Sequence, residues 1–238
     1  MSKRSSVASP PHPATGRLAR PLEALVFLLP LLAFYEYVSL TRHERVIAFD
    51  LLRRFFELFG QAGYWLPGLL VVVVLLATHV ASGQPWTVRI GRVGWMYVES
   101  IALAAPLLVL NWVIPSLVAA APAAGPVDRL AMGIGAGIYE ELVFRLILIS
   151  LIMMVGVDLL GLRRSGVAII AVIVSSVAFA AHHHRPIGEE AFDLTRLVFR
   201  SVAGVYLAGV FWFRGYGPAA GAHAAYNTVL ALLGLVGR

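Results

Sequence analysis

Seven apolar runs, most of them close to the length of a bilayer crossing, succeed one another between Leu22 and Val236. A helix needs about 20 consecutive apolar residues to cross a hydrocarbon core. In that medium each backbone N–H and C=O must be satisfied within the segment, so helices are what such runs form. The pattern places spans at about Leu22–Leu40, Tyr64–Val80, Val93–Ile114, Asp128–Val155, Val167–His183, Leu194–Phe213 and Ala219–Val236. Asp128 reads as the N-cap of the fourth. The fold class that follows is all-α: a polytopic membrane helical bundle of about seven spans, within a range of six to eight.

Two segments stand outside the spans. Residues 1–20 are rich in Ser, Pro and Arg and poor in large apolar side chains, the composition of a disordered basic tail. This leaves 21–238 as the transmembrane domain. Val46–Phe59 places Asp50, Arg53, Arg54 and Glu57 between apolar residues at helical spacing, which suits an amphipathic helix at the interface. A connector helix packed on the bundle is the alternative.

The chain is 59% hydrophobic and 13% charged, against ~25% charged in ordinary globular domains. The net charge of +6 sits mostly in the tail and loops. That fits the cytoplasmic excess of basic residues in membrane proteins and not nucleic-acid binding. Arg89, Arg92, Arg163, Arg164 and Arg214 fall on the same side as the tail, which puts the N-terminus in the cytoplasm; the Arg45–Arg54 segment falls on the other side. No cysteine is present, which excludes thiolate chemistry. Lysine occurs once, at Lys3, beside abundant Ala, Val and Gly, a composition that points to a GC-rich bacterial genome and hence to an inner (plasma) membrane.

The fourth run breaks its own apolar character. Within Gly133–Leu148 it carries Glu140, Glu141 and Arg145. A charge at membrane depth costs at least ~2.5–3.5 kcal/mol, so such residues mark function or pairing. Glu141 and Arg145 are four apart and share a helical face. Glu140 is turned ~100° away by the helical repeat, on a face shared with Gly133, Gly137 and Phe144. We read Glu141–Arg145 as a structural pair and Glu140 as the free, reactive carboxylate. The plainer alternative is that all three only fix helix packing. Glu99, inside the third span, reads as an interfacial charge, or else as a helper of the site or a second partner for Arg145.

Two later runs are equally unusual. Span five ends Phe179-Ala-Ala-His182-His183-His184, and span seven holds His223 and Asn227. Phe179 and His183, like His223 and Asn227, are four apart. Polar residues inside a bundle face its interior and one another, so spans four, five and seven are expected to line one polar cavity. A buried Glu can activate water as a general base, and His and Asn can donate to a developing oxyanion. The set is complete for amide hydrolysis by activated water. The alternative is a zinc site of Glu140, His183 and His223, a reading that lacks the HExxH motif. His183 lies near one end of its span and His223 near the opposite end of its own. The two can meet if the spans are shifted or if the Arg214–Pro218 turn is sunk in the bundle, and the second is expected.

Taken in order, Glu140-Glu141-x-x-x-Arg145, Phe179-x-x-x-His183 and His223-x-x-x-Asn227 resemble the three motifs of the CPBP family of intramembrane proteases. That family includes the type II CAAX prenyl proteases and bacteriocin-processing or self-immunity proteins. The resemblance runs from Asp128 to the C-terminus and extends to the Gly204, Gly209 and Gly221 punctuation before His223. It implies peptide-bond hydrolysis inside the membrane: Glu140 and His183 activating water, His223 and Asn227 stabilising the oxyanion, and Glu141, Arg145 and Phe179 in support. It implies a glutamate mechanism without a catalytic metal, with zinc as the alternative. The partners it implies are the bilayer and a membrane protein or lipidated peptide as substrate. The departure is His182-His183-His184 where one His is expected, so His182 or His184 can share the role of His183. A non-catalytic scaffold or immunity protein of the same fold, or a transporter using these groups as a proton relay, are the competing readings.

Overall fold

The computed structural model describes residues 20–41, 58–60, 66–114, 125–188 and 190–233. The helices among them are α1 (Pro21–Thr41), α2 (Leu66–Ser82), α3 (Ile90–Val113), α4 (Pro126–Leu159), α5 (Arg164–Ala181), α6 (Leu194–Arg214) and α7 (Tyr216–Leu232). By length and composition five of them, α1, α3, α4, α5 and α6, can cross a membrane, and α2 is a shorter apolar helix of 17 residues. The chain is therefore an all-helical integral membrane protein. Most of the basic tail and of the Val46–Phe59 segment lies outside the described residues.

Three helix ends differ from the sequence reading. Asp128 is not the N-cap of α4. Gly125 is, with Pro126 opening the helix and the Asp128 carboxylate accepting the Gly125 N–H at 3.2 Å. Proline suits that first position because its fixed φ is already helical and its missing N–H would have no partner there. Helix α5 stops at Ala181, so His182–His184 form a turn beyond its end. Helix α7 starts at Tyr216, three residues early.

The early start of α7 has a local cause. One residue, Gly215, separates it from α6, at φ 90° and ψ −178°. Only glycine adopts that conformation without strain. The reversal is so tight that Gly215 to Ala224 are all buried. The start of α7 is thus enclosed by protein, while Arg214, at the end of α6, is exposed.

Hydrophobicity does not separate inside from outside here, because lipid is as apolar as leucine. On α5 the large residues Ile169, Ile173 and Val177 point outward, while Ala171, Ser175 and Phe179 point inward. Close approach of small residues holds the interior. A Cβ added at Gly137 would lie 2.5 Å from the Ala224 backbone nitrogen, and one at Gly133 would lie 2.9 Å from the Asn227 Cβ. This small-xxx-small stripe presses α4 against the Gly- and Ala-rich α7.

Immediately after Glu141, α4 widens into π-type turns over Leu142–Ile149, and again over Met154–Leu159. Such widenings are rare and occur mostly at functional sites. The Ser175 hydroxyl of α5 donates to the Phe144 carbonyl at 2.8 Å within the first of them.

Candidate active site

Glu140 is the centre of the polar interior. Its Oε1 lies 3.6 Å from His182 Nε2 and 3.7 Å from His183 Nε2, and its Oε2 lies 3.8 Å from His223 Nε2. The early end of α5 and the early start of α7 let the histidines meet at Glu140. The Glu140 side chain is 5% exposed, while His182 and His183 are 13% and 21% exposed. The cluster is therefore enclosed on the helix side and reachable through the His182–His184 turn.

The outer ring nitrogens explain the orientation. Nδ1 of His182 and of His183 both rest on the Phe179 carbonyl, the latter at 3.0 Å. Nδ1 of His223 lies 3.0 Å from Glu141 Oε1. An Nδ1–H donating to oxygen leaves Nε2 of a neutral imidazole with its lone pair. All three Nε2 atoms then turn toward one carboxylate. Facing acceptors repel unless a proton, a water or a cation lies between them.

Glu141 does more than pair with Arg145. Its Oε1 meets Arg145 NH1 at 3.1 Å as well as His223 Nδ1. It couples the wholly buried Arg145 to the orientation of His223. Arg145 lies over the Phe179 ring at 4.3 Å and donates to the Gly204 carbonyl at 3.3 Å. Gly204 permits this by close contact, since a Cβ there would touch the Ser176 backbone at 3.0 Å. Phe179 contacts the rings of Phe144, His182, His183 and His223, with centroids 5.4–5.8 Å away.

Asn227 stands apart from the cluster. Its amide donates to the Gly133 carbonyl at 3.1 Å, two helical turns before Glu140 on α4. The amide nitrogen carries two hydrogens, so one remains for another acceptor. Glu99 is not a partner of Arg145; it binds Arg214. His184 is buried away from Glu140, with Nδ1 against the Ala191 carbonyl at 3.2 Å.

Two features were not visible in the sequence. One is the Glu141–His223 contact, which joins residues 82 positions apart. The other is Glu190, in the loop after the histidines. Both oxygens of Glu190 take the Arg200 guanidinium at 2.8 Å, and Arg196 is 3.5 Å away. This clamp ties the His182–Ala191 loop to α6. Gly188 fits beneath it because a side chain there would run into the carbonyls of His182 and His183. Burial pushes the Glu190 carboxyl up, but the Arg200 hydrogen bonds and charge outweigh it and hold the group below its ordinary value of 4.5. A depressed folded-state value means that the clamp stabilises above 4.5 and fades as pH falls through the lower, folded value. We expect Glu190→Gln to lower the thermal unfolding temperature at neutral pH and to match the parent once the acid has protonated Glu190. A mutational gap of constant size across the titration would contradict the clamp.

Fold and site together define a helical integral membrane protein whose carboxylate–histidine cluster is assembled inside the bundle from two helices and one turn. The segment that carries the cluster, residues 122–229, matches the family model of type II CAAX prenyl endopeptidase Rce1-like proteins. This part of the chain is similar to that family of peptidases, and it holds the three motifs that resemble those of the CPBP proteases. Neither the comparison with curated proteins nor that with solved structures found a match.

Proposed function

We propose that the protein is an intramembrane endopeptidase that cleaves a peptide bond of a membrane-anchored substrate with water activated at Glu140. The observation that carries this is the convergence of three imidazole Nε2 atoms on the Glu140 carboxylate, 3.6–3.8 Å away, inside an apolar bundle. Glu140 takes a proton from water as the oxygen attacks the scissile carbonyl carbon. His182 and His183 hold that water through Nε2. His223, when protonated and backed by Glu141, offers its Nε2–H to the oxyanion, and the second amide hydrogen of Asn227 is a further donor. The tetrahedral adduct collapses by breaking the C–N bond, and the proton on Glu140 passes to the leaving amine.

A zinc-dependent form of the same protease is the second reading. One ligand atom each from Glu140, His182 and His183 lie within 4.8 Å of one another. Histidines whose other nitrogen is held by a carbonyl are the usual metal ligands. This set differs from the Glu140, His183 and His223 set expected from sequence by including His182. Bound there, zinc would supply Lewis acidity. Activity that survives strong chelation and metal-free purification would count against it.

The substrate we propose is a membrane protein or lipidated peptide cut near the bilayer. The protein sits in a bacterial inner membrane, with Arg20, Arg92 and Arg214 on the cytoplasmic face. The test is cleavage of membrane-anchored peptides by the purified chain in vesicles. His182→Asn and His183→Asn are each expected to slow cleavage, and the double variant by about 10²–10⁴. Full activity of the double variant would overturn the proposal.

A further inference from the structure

Helix α6 begins beside the histidine turn and ends, at Arg214, on a separate cavity of about 450 Å³. The cavity opens where α1, α3 and α7 begin, and neither Glu140 nor any histidine lines it. Its depth is apolar, formed by Ala24, Leu75, Met96, Leu146 and Phe211. Its mouth carries Arg20, Arg92 and Arg214 with Glu23 and Glu99, three cations against two anions, 3 − 2 = +1.

The carboxylates leave part of the cationic surface unused. Glu23 takes the Nε and NH2 groups of Arg92, and Glu99 takes the same two groups of Arg214. The NH1 side of each guanidinium is left over. Arg20 is 3.9 Å from Glu23 and its side chain is 43% exposed. Trp95 and Trp212, both exposed, flank the opening. Exposed indoles beside arginines at the ends of apolar helices mark the level of lipid headgroups.

The volume falls within the ~300–1,000 Å³ of small-molecule pockets. A free anion would leave the apolar depth unfilled, and a hydrocarbon would leave the guanidinium edges unmatched. A molecule with an anionic head and an apolar chain satisfies both, and a bilayer presents it at this height. We propose that the cavity binds one anionic membrane phospholipid, with the phosphate against Arg20, Arg92 and Arg214 and one acyl chain entering between α1, α2 and α4. The site stands whether or not Glu140 is catalytic.

The test is lipid retention by the full chain. The protein is delipidated and returned to vesicles of phosphatidylcholine containing a minor fraction of phosphatidylglycerol with the same acyl chains. After extraction, bound lipid is counted by native mass spectrometry. Phosphatidylglycerol is expected to be retained in excess of its share. Arg20→Gln, at an exposed position, is expected to reduce that preference about fivefold by removing one charge near the headgroup. Thr78→Phe, which places a ring in the cavity, is expected to abolish retention. Retention in proportion to vesicle composition, or a preference untouched by Arg20→Gln, would overturn the proposal. Displacement of the lipid by inorganic phosphate alone would reassign the site to a free anion.

Discussion

Glu140→Gln is expected to abolish peptide cleavage while leaving the helical content and unfolding temperature near those of the parent. The amide has the size of the carboxyl group and keeps an oxygen facing the histidines, so packing is little disturbed. What it loses is the ability to take a proton from water. General-base catalysis contributes about 10²–10⁴ in rate, and the fall in turnover should lie in that range or beyond it. The same substitution leaves His182, His183 and His223 in place, each within 3.8 Å of it. Binding of an uncleaved substrate should therefore persist, giving a defect in kcat with a much smaller one in KM. Undiminished cleavage by Glu140→Gln would falsify the assignment. A collapse of folding instead would make Glu140 a structural residue.

Arg145→Leu is expected to have the largest effect on stability. Arg145 is fully buried, 3.1 Å from Glu141, stacked on Phe179 and bonded to Gly204. Removing one partner of a buried ion pair typically costs about 3–5 kcal/mol, because the other charge stays buried and unbalanced. Here that charge is Glu141, which also holds His223. Arg145→Leu should thus unfold the protein in detergent well below the parent's temperature. The double variant Glu141→Gln/Arg145→Leu should recover much of the loss, since no charge is left unpaired. A glutamine can still accept the His223 Nδ1–H, so the double variant also asks whether that hydrogen bond alone sustains activity. If the double variant were no more stable than the single, the ion pair would not be the source of the effect.

How much of the site could be read beforehand follows from the kind of spacing involved. Glu141 and Arg145 share a face four residues apart, and the structure pairs them. The same periodicity put Phe179 beside His183, and the two rings do meet. It selected His183 over His182, whereas the structure sets both equally close to Glu140. That choice depends on where α5 ends, and α5 ends at Ala181. Past that point helical phase no longer applies, and both rings turn back on the same carbonyl. Asn227 shows the converse. Its face was right, but its amide went to the nearest backbone carbonyl, that of Gly133, because α4 and α7 touch there.

The sequence by itself determined the fold class and named the candidate residues. Apolar runs of spanning length leave helices as the only stable elements in lipid. Charges within those runs had to be paired or functional because of what they cost there. The tertiary structure alone decided which groups meet. The one-residue reversal at Gly215 sets the depth of His223. The Gly133–Gly137 stripe sets how closely α7 approaches Glu140. The Glu190–Arg200 clamp sets where the histidine turn lies. Each joins residues far apart in the chain, through backbone geometry and close packing that local periodicity does not encode.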